Sequence, residues 1–288
     1  MNSTADETPA AQGAQVEATD RLIDDSVARL FAEQVDNGTR MRAESGEFDS
    51  ALWQRVRDSG FALLLASPAA GGFGQSWTAA LPVLRGIGYW QVPLPLAETM
   101  VARLLASLVG FDVADAPLTL LEQGRGNSLQ ISGSGGGATL SGVAHAVPWA
   151  RHAHAALASL QDGRFALLEL QGQSGVTVQP HTNHAGLPAD TLVLKHARLR
   201  AVATHPLNLR EPVWTLGAVA RSAMLVGALE SALEQAVGYA AQRVQFHQVT
   251  MPDKGQACGI SELDPLQREI FEALKIEIPM RHRLQTAV

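Results

Sequence analysis

The chain has 288 residues, 46% of them apolar and only 17% charged, with a formal charge of −6 at pH 7. That length predicts about two domains with sizeable cores, and the acidic balance excludes the basic face that nucleic acid requires. The single cysteine, Cys258, leaves no disulfide framework within the chain and no cysteine-based zinc site, and it fits a reducing cytoplasm. No run of about 18 apolar residues occurs, so no membrane span is expected. Residues 1–19 lack the basic start and apolar stretch of a signal peptide and read as a disordered lead-in.

From 20 to 116 the pattern is helical. Leu22, Ile23, Val27, Leu30 and Phe31 recur at spacings of three and four, which makes one apolar face. Ser50 reads as the N-cap of a second helix that Gly60 stops. Ser67 to Ser76 is a loop by its Gly and Pro content. Trp77 to Gly88 reads as a helix, with Pro82 marking a shifted start, and Leu96 to Leu108 as another. The low charge and many small residues predict close helix packing or broad subunit contacts.

The grammar changes after Pro117. Short apolar runs alternate with Gly, Asn and Asp turns, and 117–212 reads as a β domain. Its strands are expected at Leu118–Leu121, Ser128–Ile131, Thr139–Val143, Ala153–Leu160, Phe165–Leu170, Gly175–Gln179, Thr191–Lys195 and Arg198–Val202. Such spacing without intervening helices predicts an antiparallel sandwich or barrel. The helical period returns over 213–246, where Gly217, Ala220, Ala223 and Gly227 would let other helices approach closely. Residues 247–288 form a divergent tail, with one short charged helix expected from Pro265 to Leu284. The fold class is therefore α+β: a helical domain, an antiparallel β domain, and a long helix.

Four segments in this order resemble the acyl-CoA dehydrogenase family of flavoproteins. They are LWQRVRDSGFALLLASPAAGGFGQSW from Leu52, VPLPLAETMVARLLA from Val92, LSGVAHAVPWARHAHAAL from Leu140, and RSAMLVGALESALEQAVGYAAQRVQF from Arg221. The second is similar to a bacterial branch of the family. The resemblance implies that the long helix belongs to a four-helix bundle, left incomplete and apparently truncated here. It also implies FAD as cofactor and an acyl-CoA thioester as substrate. Partners would be a homo-oligomer or a related subunit, with an electron-transfer flavoprotein as electron acceptor.

The resemblance also nominates flavin contacts. LEQGRGNSL, from Leu121, stands where the family has a TEPGAGSD-like loop, and it points to Leu121, Gly124, Gly126 and Asn127. Glycine there lets backbone N–H groups approach a ring or a phosphate, although a plain hairpin turn explains the stretch equally well. Trp149 matches an indole that shields the flavin, or is a core residue on a strand. Arg151 pairs with the flavin, or is a surface residue. Arg243 and Phe246 match an RxxF that reaches the cofactor of a neighbouring subunit, or are a solvated arginine and a core phenylalanine.

Thioester dehydrogenation needs a carboxylate base. One family position for it falls near Gly217, which has no side chain, and no catalytic residue is identified; Glu211, Glu230 and Glu234 stand on or near the helix. The nine histidines lack the company of a metal site. Three readings stay open: a flavin subunit completed by another polypeptide, a non-catalytic scaffold, or a binding module without flavin.

Overall fold

The computed structural model describes residues 9–242, 244, 245, 248 and 249. It divides into two compact units, residues 1–232 and 233–288. In the second unit the described residues are the last turns of a helix and a short antiparallel pair, Val244–Gln245 with Gln248–Val249. All that follows concerns the first unit.

Five helices come first: α1 (Pro9–Gln34), α2 (Asn37–Glu44), α3 (Ser50–Asp58), α4 (Trp77–Tyr89) and α5 (Leu96–Leu108). The helix α1 starts at Pro9, inside the segment expected to be disordered. The cap of α3 is Asp49, not Ser50: its carboxylate accepts a hydrogen bond from Leu52 N at 2.8 Å. Helix α4 starts at Trp77, capped by Ser76, and runs through Pro82 without a shifted start. The short helix α2 was not foreseen. It is polar, without an apolar stripe, and depends on Asp36 accepting from Thr39 N at 2.7 Å.

Seven strands follow: β1 (Leu118–Glu122), β2 (Ser128–Ser132), β3 (Thr139–Pro148), β4 (Ala155–Ser159), β5 (Arg164–Glu169), β6 (Val176–Gln179) and β7 (Ala189–Thr204). They make one curled mixed sheet in the order β1-β4-β5-β7-β3-β2, with β6 also on β7. The expected all-antiparallel arrangement needs correction, because β1 and β4 are parallel. The strands β2 and β3 lie between them in the chain, and β4 returns beside β1 in the same direction. The two strands expected at 191–195 and 198–202 are halves of β7, bent at His196, whose φ is 49°.

Period-two alternation gives the sheet two apolar faces. Leu118, Ala155, Leu157, Phe165 and Leu167 pack on the helical domain. Leu121, Ala156, Ala158, Ala166 and Leu168 point into a separate core with Leu140, Leu192 and Leu194. This is why β4 is buried at every position.

Helix α6 (Pro212–Gln242) closes the first unit and crosses into the second. It begins with proline, which suits a first helical position, and stops short of the expected end, since 244 and 245 are extended. Its stretch Pro212–Tyr239 is long and apolar enough to cross a membrane by length and composition, with a mean hydropathy of 1.3 over its best window. That departs from the expectation that no such segment exists. Two of the charges that interrupt its apolar run pair with other helices: Arg221 with Glu98, and Glu230 with Arg85 through two bonds of 2.7 and 2.9 Å.

The helices α4 and α6 cross at glycines. A Cβ on Gly88 would stand 1.7 Å from the Met224 carbonyl oxygen, and one on Gly227 2.0 Å from that of Arg85. Gly88→Ala or Gly227→Ala therefore forces the two backbones apart. Each is expected to cost about 1–3 kcal/mol in denaturant unfolding. A Cβ on Gly217 meets nothing within 4 Å. Gly217→Ala is expected to be neutral, or stabilising by up to about 1 kcal/mol, through helix propensity.

Candidate active-site cavity

The start of α6 roofs a cavity of about 460 Å³. Its floor comes from Ala97, Glu98 and Val101 of α5 and Leu120, Leu121 and Glu122 of β1. One side is the end of β3, from His145 to Pro148. Val213, Trp214, Gly217 and Arg221 of α6 face them.

Local chain geometry builds these walls. Between β1 and β2 the chain turns through Gly124, Arg125 and Gly126, all with positive φ (97°, 50° and 91°). Glycine carries that conformation without penalty. Gly124 and Asn127 exchange backbone hydrogen bonds of 3.2 and 2.9 Å across the turn. Asn127 then pins the turn at both ends of its amide: Nδ2 donates to Glu122 O at 2.9 Å, and Oδ1 accepts from His145 N at 2.8 Å. The register of β3 on β7 shifts between Ala144 and Val147, with Ala146 at a φ of 51°. Thr119 Oγ1 donates to Pro148 O at 2.5 Å and ties the end of β3 to β1.

The turn also reaches the roof. The Arg125 guanidinium lies 3.8 Å over the Trp214 ring, and its Nη2 donates to Glu211 at 2.8 Å. Beneath them Glu122, only 8% exposed, accepts a hydrogen bond from Trp214 N at 2.9 Å. A carboxylate at the first turn of a helix meets free N–H groups and the positive end of the helix dipole. Burial nonetheless pushes the Glu122 carboxyl above its ordinary value, and the N–H groups of Trp214 and Val213 offset this only in part. Glu98, also buried, is held by Arg221.

The residues nominated from sequence separate into groups. Leu121 and Asn127 line the cavity, and Gly124 and Gly126 shape the turn beside it. Trp149 is 3% exposed, and its indole packs edge-on to Phe48 at 6.5 Å, while the strand residues before it form the cavity wall. Arg151 is engaged by Asp190: its backbone N and Nε donate to that carboxylate at 2.8 and 2.9 Å. Burial raises Asp190, but the bonds from Arg151 and His181 N outweigh it and hold the group below the usual carboxylate range. Arg243 and Phe246 lie outside the described residues. Of the candidate bases, Glu211 and Glu230 are paired with Arg125 and Arg85. The acids of the cavity are Glu98, which sequence reasoning passed over, and Glu122, which it noted as matching the family's loop but not as an acid of the site. Their signal was an acidic residue within a run of apolar ones, as in LAETMV and TLLEQG.

Comparison with known proteins agrees with this fold. Residues 17–109 match the family model described as acyl-CoA dehydrogenase, N-terminal domain. The curated acyl-CoA dehydrogenase FadE27 of Mycobacterium tuberculosis is 29% identical over 218 residues, 69% of this chain and 58% of the relative. The chain thus spans about three fifths of that relative's length. Among solved structures, the Tcur3481-Tcur3483 steroid ACAD G363A variant has a TM-score of 0.67 at 24% identity, covering 81% of this chain and 68% of its own. The ChsE4-ChsE5 complex from Mycobacterium tuberculosis has a TM-score of 0.64 at 25% identity, covering 79% and 68%.

Glu122→Gln keeps an acceptor for Trp214 N but removes the buried charge. Because the folded carboxyl titrates above its unfolded value of about 4.5, the stability of wild type relative to Glu122→Gln should be greatest in acid. It should decline as pH rises through the folded pKa, and unfolding curves across that range measure it. Glu122→Ala, which leaves the helix end without its partner, is expected to cost about 1–3 kcal/mol. The matched N-terminal domain, the curated relative and the shared fold together make the chain similar to acyl-CoA dehydrogenases.

Proposed function

We propose that the chain is an FAD-binding subunit for α,β-dehydrogenation of an acyl-CoA thioester in the cytoplasm, completed by a related polypeptide. The observation that carries this reading is the cavity between the β1–β2 turn, the end of β3 and the start of α6, with Gly217 on its wall. The family match supports it. So do two neighbours of the same fold whose names include complexes, and another, PigA, described with FAD and proline.

The cavity suits a flat ring. Its apolar sides, Leu121, Val147 and Pro148, offer van der Waals contact, while Arg125 and the backbone of the turn offer donors at its rim. FAD supplies the hydride acceptor when bound. The protein's share is to hold the thioester, exclude water and take the proton. Loss of a proton from the α carbon and of a hydride from the β carbon leaves the double bond. Arg125 stacked on Trp214 and tied to Glu211 closes the rim of the roof against water. Gly217 offers no proton acceptor, and the open space at its Cβ position is where a carboxylate would fit.

The same glycine favours a second reading, a non-catalytic scaffold within a dehydrogenase complex. Further along α6, Val219, Leu225, Val226 and Leu229 are exposed. A continuous apolar patch of this kind seeks a partner, and a related subunit supplies the matching helices. An electron-transfer flavoprotein is the proposed acceptor of the electrons.

The test is an electron-acceptor assay with a panel of acyl-CoA thioesters, bulky steroid-type acyl groups included. The isolated chain with FAD is expected to turn over slowly. Gly217→Glu is expected to raise the rate about 10²-fold or more, the range a positioned base contributes. A variant that retains flavin absorbance but gains no rate contradicts the placement of the reaction at this cavity. Rapid turnover by the unmodified chain contradicts the missing base.

A further inference from the structure

The helical domain contains another cavity, of about 310 Å³, beside the C-terminal half of α5. Ser67, Ala69 and Ala70 wall one side, and Gly110 to Val113 wall the other. It shares no lining residue with the cavity under α6.

Arg103 lines it and is 7% exposed. Its Nη2 donates to Ala114 O at 3.0 Å and to Asp115 Oδ1 at 2.8 Å. The Asp115 side chain is 62% exposed and also serves Arg57, whose Nε is 3.5 Å away. Arg57 also meets Asp58 Oδ1 at 3.4 Å, so Asp115 is shared between two guanidinium groups while Arg57 has a second carboxylate. Asp112, also on the cavity wall, turns outward to Arg200 at 3.1 Å. Arg103 Nε is buried without a hydrogen-bond partner. Ser67, which precedes the turn at 68–70, makes no capping bond with its hydroxyl.

A buried cation is costly unless it is neutralised and its donors are satisfied. Arg103 meets neither condition fully. Burial lowers its pKa, and Asp115 offsets that only in part. Guanidinium donors fit the oxygens of phosphate and carboxylate, often two at a time. We propose that this cavity binds a small oxyanion, the phosphate or carboxylate group of a metabolite, against Arg103 and the Ser67 hydroxyl. Asp112 and Asp115 stand at its margin and disfavour large polyanions. Asp115 is then a competitor as well as a partner, since it occupies a donor that the ligand would use.

Thermal unfolding of the full chain tests this, with inorganic phosphate in one arm and acetate in another, and ionic strength held constant with chloride. A saturable rise of about 2–4 °C is expected in at least one arm. Phosphate alone giving the rise identifies a phosphate site, and acetate alone a carboxylate site. Arg103→Gln is expected to abolish it. Asp115→Asn keeps an acceptor for Arg103 Nη2 and removes the competing charge, and it should lower the half-saturating concentration several-fold. If Arg103→Gln does not fold, Asp115→Asn decides. No rise beyond chloride in the unmodified chain overturns the proposal. So does a rise that survives in folded Arg103→Gln, or a half-saturation unchanged in Asp115→Asn.

Discussion

The start of α6 has to be held over the sheet, and a buried carboxylate does this. Glu122 lies at the end of β1 and meets the first N–H groups of the helix. Arg125, three residues later, covers Trp214 and pairs with Glu211 on the approach to the same turn. Two turns on, Arg221 meets buried Glu98 of α5, and then the glycine crossings with α4 begin. The chain therefore clamps α6 from three elements in succession. The cavity is the space those clamps leave beside Gly217.

The order of these contacts explains why polar groups occur in so apolar a setting. An unpaired charge on α6 would be expensive once the helix is packed, because the interior screens poorly. Each charge that faces inward has a partner, and each partner comes from a different element. Pairing of this kind adds less to stability than to position: it selects one rotation and one height for the helix. Close backbone approach at Gly88 and Gly227 does the same through shape. The outer side carries apolar side chains without such control, which is the pattern of a surface left for another polypeptide.

Much of the fold was legible in the sequence, because its signals are periodic. The strands of the β domain appeared as short apolar runs between turn residues, and the first and last long helices from their helical period. What stayed hidden has no periodic signal. Helix α2 depends on one aspartate cap, and the parallel pairing of β1 with β4 depends on how a hairpin folds back. The bend in β7 is a single left-handed residue, His196. The site was legible in part. The loop around Gly124 and Asn127 lies beside the cavity, and its asparagine ties β1 to β3. Trp149 was nominated by the family resemblance, with a core residue on a strand as the alternative. A shifted register and a positive φ at Ala146 bring the residues before it to the cavity. Neither feature can be counted off a sequence. Arg125, Glu98 and Arg221 matter through contacts with distant elements, and those exist only after folding.

The account stands or falls on where a flavin binds. A crystal structure of the chain grown with FAD answers this directly. The isoalloxazine ring is predicted to lie against the wall from His145 to Pro148, below the Arg125–Trp214 pair, with open space between it and Gly217. A ring bound elsewhere on the chain, or a cavity that stays empty while FAD is present, would contradict the account.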